Sequence, residues 1–174
     1  FDDTDIENQW VTSRASASNR NNAGGVDGKM TATLKVNTVS VDYSGDSDDQ
    51  VGRIIVGQIH GVDHEPVKIY YQKMPDHNKG SVYFTVDGSD GKPIDRVYVI
   101  GYSDKDYEKH SNGSANLSSP SNGIALGDEW SYEIDLSGNQ LRVTVWHNGN
   151  TYTTADSIAY SRTQSRAVIS NSGD

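Results

Sequence analysis

The sequence has no cysteine. Disulfide frameworks, thiolate metal sites and cysteine nucleophiles are therefore excluded. It also lacks any apolar run of about 18 residues, the length that a membrane-spanning helix needs. Hydrophobic residues make up only 33% of the 174 positions. Positive charge is scarce, with 15 Lys and Arg against 24 Asp and Glu, for a net charge of −9. An acidic chain without a basic stripe argues against nucleic-acid binding. It leaves room for an anionic substrate, because salt screens the acidic shell beyond roughly 8–10 Å and a local basic groove can sit inside it. No charged-then-apolar segment opens the chain, so no signal peptide is read in it. The first residue is Phe1 rather than Met, as expected of a processed or trimmed chain.

What the sequence does have is aromatic and β-branched residues in short runs. Its 10 Tyr and 3 Trp argue for a folded domain despite the polar composition, and the length suits a single domain over 1–174. The dominant period is two. Strands are predicted over 31–41, 53–60, 67–73, 81–86, 96–102, 130–136 and 141–147, and again from Tyr152 onward. In the first of these, Leu34 and Val36 fall on one face and Val39 and Val41 on the other, which predicts a bulge or bend near Asn37. The run R-I-I-V-G-Q-I-H at 53–60 is almost continuously apolar, as a central strand covered on both faces would be. Turn residues separate the runs, notably Asp87-Gly88, Asp90-Gly91, Ser137-Gly138-Asn139 and Asn148-Gly149. Only 104–112 has any helical character. Many short strands with Gly-rich turns point to an all-β sandwich or jelly roll.

Gln58 and His60 are the sharpest chemical feature. Positions i and i+2 of a strand share a face, so Ile54, Val56, Gln58 and His60 are expected to point the same way, from core into cleft. Histidine can act as a base near neutral pH and Gln can donate two hydrogen bonds to a carboxylate. On spacing alone, a buried His beside a hydrogen-bonded Gln is the simpler reading. The other histidines, His64, His77, His110 and His147, have no metal-ligand spacing. Asp42, Asp46, Asp48 and Asp49 cluster without the ordered pattern of a calcium loop, so a solvated acidic loop is expected and no cofactor or metal.

A wider set of motifs surrounds this pair. G-Q-I-H at 57–60 is followed by D-H-E-P-V-K-I-Y-Y-Q-K at 63–73 and N-K-G-S-V-Y-F at 78–84. A-G-G-V-D-G-K-M-T-A-T-L-K-V precedes it at 23–36, and G-I-A-L-G-D-E-W-S-Y-E-I at 123–134 and N-Q-L-R-V-T-V at 139–145 come after. In this order the motifs resemble polysaccharide lyase family seven, the alginate lyases with a concanavalin-like jelly-roll β-sandwich of two antiparallel sheets and a concave substrate groove.

The resemblance implies endolytic cleavage of the 1,4 bond of alginate by β-elimination, in a secreted, monomeric protein whose partner is that anionic polysaccharide. It implies that Gln58 binds the uronate carboxylate and that His60 lies beside C5, as neutraliser or base. Ile59 between them implies a preference for guluronate-containing blocks over mannuronate. Lys68 and Tyr70, which share a strand face with Gln72, and Lys73, which shares the other with Ile69 and Tyr71, are further candidates for the sugar groove. A wet face with extended lysines accounts for them equally well. The family's R-(T/S)-E-(L/V)-R strand and Y-F-K-A-G-x-Y strand, which carry a catalytic Arg and Tyr, are not found in the 174 residues. The chain is therefore expected to be an interior piece of a longer catalytic domain.

Two rival readings remain. A non-catalytic carbohydrate-binding module would account for the missing Arg and Tyr. A jelly-roll glycoside hydrolase would need paired carboxylates on one strand face. Glu129, Glu133 and Asp135 share strand parity, but their order does not match the E-x-D-x-x-E of such enzymes, and an outer, solvent-facing strand is expected instead.

Overall fold

The computed structural model describes residues 10–41, 51–59, 67–87, 93–102, 118–138, 140–160 and 167–169. Eleven strands and one short helix occur among them: β1 (Trp10–Val11), α1 (Ala17–Asn22), β2 (Gly25–Val26), β3 (Gly28–Lys35), β4 (Arg53–Ile59), β5 (Val67–Gln72), β6 (Ser81–Asp87), β7 (Pro93–Ile100), β8 (Glu129–Ser137), β9 (Gln140–His147), β10 (Asn150–Tyr160) and β11 (Ala167–Ile169). They form a four-stranded sheet in the order β4-β5-β6-β7, a five-stranded sheet in the order β11-β10-β9-β8-β3, and the small pair β1-β2. Every pairing in the two large sheets is antiparallel.

The alternation seen in the sequence is what divides each sheet into two faces. In β8, Trp130, Tyr132, Ile134 and Leu136 are buried while Glu129, Ser131, Glu133 and Asp135 alternate with them outward. The inward set meets Leu141, Val143 and Val145 of β9 and, from the other sheet, Val67, Ile69 and Tyr71 of β5 and Val82, Phe84 and Val86 of β6. This is the two-layer packing of a β-sandwich. Tyr71 is fully buried, and its hydroxyl donates to the Ile124 carbonyl at 3.0 Å. Burial, aided by the nearby Asp128 carboxylate, pushes the Tyr71 phenol up to about 12.

The turns are those the sequence marked. Asn148 (φ 50°) and Gly149 (φ 73°) close the β9–β10 hairpin between the paired His147 and Asn150, the left-handed pair that matches the twist of a hairpin.

Three expectations change. The strand predicted over 31–41 does not run through a bulge or bend near Asn37 but ends before it. β3 stops at Lys35, and Val36 turns into the core at 4% exposure. The run at 53–60 is not covered on both faces: Ile55 is 50% exposed, and among the described residues β4 pairs with β5 alone. The short helix α1, capped by the Ser16 hydroxyl on the Asn19 N–H, was not anticipated. The helical character at 104–112 lies outside the described residues.

Candidate functional site

The four-stranded sheet has one face in the core. Its other face carries the polar and aromatic side chains, and strand pairing lays them out in rows, because directly paired residues share a face. One row runs Gln58, Lys68, Thr85, Arg96; the next runs Ile55, Tyr70, Tyr83, Tyr98; a third runs Arg53, Gln72, Ser81. Period-two alternation explains the layout. Tyr83 and Thr85 interleave with the core residues Val82, Phe84 and Val86, and Tyr70 with Ile69 and Tyr71.

The middle row is an aromatic floor. Tyr70 and Tyr83 stack at 5.0 Å and 18°, and Tyr98 follows Tyr83 at 5.2 Å. Tyr102 meets Tyr98 edge-on at 6.2 Å and bonds the Nδ1 of buried His77 through its hydroxyl at 2.8 Å. Two guanidiniums lie over the floor: Arg53 on the Tyr70 ring at 5.1 Å and Arg96 on the Tyr83 ring at 5.2 Å. Such cation–π contacts hold the two side chains in place over the rings.

Tyr83 is fully buried under these neighbours. Burial pushes its phenol up to about 12, and the positive charges of Arg96 and Arg53 only partly oppose this. The Arg53 side chain also lies close enough to the Tyr83 hydroxyl to favour its ionised form, and the Thr85 Oγ1 has no hydrogen-bond partner among the described residues. A phenol with such a pKa stays protonated at neutral pH, so Tyr83 can donate a hydrogen bond but cannot serve as a base there.

Of the residues singled out in the sequence, Gln58, Lys68 and Tyr70 come together on this face, with Gln58 exposed and directly paired to Lys68. Lys73 does not join them. It follows the end of β5, and its ammonium donates to the Met74 carbonyl at 3.1 Å. His60, and the acidic cluster from Asp42 to Asp49, lie outside the described residues.

One expectation about β4 is corrected. Ile54, Val56 and Gln58 do not share a face, because the pairing steps from Ile55 opposite Tyr70 to Gly57 opposite Ile69. Two steps on β4 answer one step on β5, which is a β-bulge with Val56 as the extra residue. Ile54 and Val56 therefore pack toward the core, while Gln58 turns to the opposite, polar face with Lys68. Ile59 then points back into the core layer, opposite fully buried Val67.

The residues that the sequence reading missed are Arg53, Tyr83, Tyr98 and Arg96. The alternation of Val97 and Val99 with Arg96 and Tyr98, and of Val82 and Phe84 with Tyr83, was the available signal for three of them.

The carboxylates of the hydrolase reading sit elsewhere. Glu133 and Asp135 lie on the outer face of the five-stranded sheet, where Lys29 Nζ bridges them at 3.2 and 2.9 Å. Glu129 is on the same face, 3.9 Å from Lys35.

Comparison with known proteins follows the same line. Residues 3–168 match the sequence profile described as Alginate lyase. An alginate lyase of Klebsiella pneumoniae is 43% identical over 146 residues, which are 82% of this chain and 45% of that protein. The crystal structure of the alginate lyase from Klebsiella pneumoniae superposes with a TM-score of 0.74 at 39% identity, covering 87% of this chain and 52% of that one. The structure of an exolytic family 7 alginate lyase from Zobellia galactanivorans superposes with a TM-score of 0.59 at 33% identity, over 76% of this chain and 45% of that one. The chain thus spans about half the length of the relatives it matches. The two antiparallel sheets are those of the expected jelly-roll sandwich, and the chain belongs to the alginate lyases of polysaccharide lyase family seven.

Proposed function

We propose that the protein cleaves alginate by β-elimination, acting endolytically and favouring guluronate-containing blocks. The observation that carries this reading is the groove face itself. Gln58 and Lys68 head a floor of stacked tyrosines overlaid by Arg53 and Arg96. A polyuronate presents one carboxylate per sugar unit, which matches the amide and cations of this face, while the buried tyrosines beneath seat the two arginines.

In the proposed reaction a base removes the C5 proton, the C–H electrons form the C4–C5 double bond, and the C4–O4 bond breaks. The departing oxygen takes a proton. The difficulty is the carboxylate on C5, because a developing carbanion beside it concentrates negative charge. Donors fixed where that charge appears lower the barrier most. The amide of Gln58 supplies two N–H groups of this kind. His60, two residues on, is assigned to neutralisation or proton removal at C5 by the family pattern of its motif.

The polar face spreads over four strands, which supports action within the polymer. The guluronate preference rests on Ile59, which acts indirectly by setting how β4 seats against the core. A large polymeric substrate is the support for reading the protein as secreted.

Alginate treated with the full-length protein should gain ultraviolet absorbance from the new double bond, fastest on guluronate-rich blocks. New reducing ends without absorbance would instead support a hydrolase, and binding without either would support a carbohydrate-binding module. Faster cleavage of pure mannuronate would overturn the preference.

The two guanidiniums give a second expectation. Arg53→Ala and Arg96→Ala should each raise KM about fivefold, corresponding to roughly 1 kcal/mol for a partly solvated charge contact. Both variants should flatten the rise of KM with salt. An unchanged KM and salt response in both would remove the arginines from substrate binding.

A further inference from the structure

The bulge in β4 decides which way Gln58 faces, so whatever holds the bulge holds Gln58. With regular pairing, Gln58 would share the core face with Ile54, as simple alternation predicts. The extra residue, Val56, shifts the register by one and sends Gln58 to the groove. A bulge interrupts the ladder locally and leaves backbone groups in need of partners.

The partner here comes from the opposite sheet. The Tyr132 hydroxyl donates to the Val56 carbonyl at 2.8 Å. Tyr132 is a rigid support. It is 2% exposed and lies in β8, paired with Ala32 of β3 on one side and Val145 of β9 on the other. Burial also raises its phenol above the ordinary value, so the proton needed for donation is retained.

The next residue is shaped to the same phenol. A Cβ on Gly57 would stand 2.2 Å from Tyr132 Oη and 2.8 Å from its Cζ, with Met30 Cε at 3.1 Å. Only glycine lets the strand settle onto the hydroxyl at this point. Tyr132 and Gly57 are therefore a matched pair, one from each sheet, meeting at the bulge one residue before Gln58.

We infer that Tyr132 is a positioning residue for the reaction: by holding the Val56 carbonyl it fixes the one-residue bulge that turns Gln58 into the groove. The inference rests on the reading above, in which Gln58 binds the substrate carboxylate. Tyr132 touches no substrate in this scheme and acts only through β4. Phenylalanine fills the same space without the donor, so Tyr132→Phe isolates the bond.

The test measures kcat and KM on alginate for full-length Tyr132→Phe, Gln58→Ala and the double variant, each below its melting temperature and per folded molecule. Amide hydrogen exchange along β4 is followed in parallel. Tyr132→Phe should lower kcat about 10- to 100-fold, because displacing a reacting group by an ångström costs that much, with KM changing less than about threefold. The amides of Gly57 and Gln58 should exchange faster while those of β8 and β9 keep their protection. In the Gln58→Ala background the second substitution should cost nothing further, since two residues acting as one unit are not additive.

Wild-type kcat in Tyr132→Phe alongside an inactive Gln58→Ala overturns the positioning role alone. A full additional loss in the double variant overturns it too, because Tyr132 would then act through another group. Wild-type activity in Gln58→Ala overturns the reading of Gln58, and the positioning role with it.

Discussion

Gln58→Ala is expected to lower alginate turnover by about 10²–10³-fold, the usual loss when one donor to a developing charge is removed, while the melting temperature stays within a few degrees of the parent. The side chain is exposed on the groove face of β4, so its removal opens no cavity. His60→Ala is expected to lose activity on the same scale, on the strength of its place in the Q-I-H motif. If these residues were merely structural, the pattern would reverse: stability would fall and turnover per folded molecule would survive. Thermal unfolding and initial rates, measured together on the full-length variants, distinguish the two. A destabilised but fully active His60→Ala would remove the centre of the proposed mechanism.

The second large effect is on stability, at Gly52. Its φ is +68°, and an added Cβ would lie 1.8 Å from the Lys73 carbonyl oxygen and 2.7 Å from the Lys73 carbonyl carbon. Both contacts are backbone, so no rotamer change relieves them. The close approach is built in: the Lys73 N–H donates to the Gly52 carbonyl at 3.0 Å, and the Gly52 N–H donates to the Ser40 hydroxyl at 3.1 Å. Left-handed strain of about 1–2 kcal/mol adds to about 1–3 kcal/mol for overpacking. Gly52→Ala should therefore lower the melting temperature by roughly 5–15 °C in a domain of this size. Because Arg53 follows directly, some loss of substrate affinity should accompany it. A melting temperature within about 2 °C of the parent would mean that the β4–β5 end relaxes far more easily than this geometry allows.

Much of the fold was readable because half-buried strands advertise themselves. β8 is the clear case, with Trp130, Tyr132, Ile134 and Leu136 inward and charged or polar residues between them. The β8–β9 and β9–β10 hairpins join predicted strands across the Ser137-Gly138-Asn139 and Asn148-Gly149 turns for the same reason. The open face of β4 was hidden, because Ile54, Ile55 and Val56 are all apolar although Ile55 is 50% exposed.

The site was half readable. Lys68 and Tyr70 fall on one face by simple alternation, and they do share a face with Gln58. Gln58 itself was placed on that face by a wrong route. Counting in twos from Ile54 leads to the core, and only the extra residue at Val56 corrects the count. Apart from Gly57, no residue in the run marks a bulge, because the hydroxyl that holds it belongs to Tyr132, some 76 positions away in sequence. Tyr83 was overlooked for another reason: inside a β run an aromatic residue reads as core, and Tyr83 is indeed fully buried, but beneath the arginines of the groove rather than between the sheets.

The two deeply set phenols have a consequence for the chain as a whole in alkali. In the unfolded chain Tyr71 and Tyr83 would release their protons near pH 10, the ordinary value for tyrosine, whereas folded they hold them to about 12. Below pH 10 neither phenol distinguishes the two states. As pH climbs from there toward 12, the unfolded chain sheds protons that the folded chain keeps, and the balance tilts steadily toward unfolding. One of these phenols is locked between the sheets and the other lies beneath the arginines on the opposite face, so base loosens both faces of the four-stranded sheet at once.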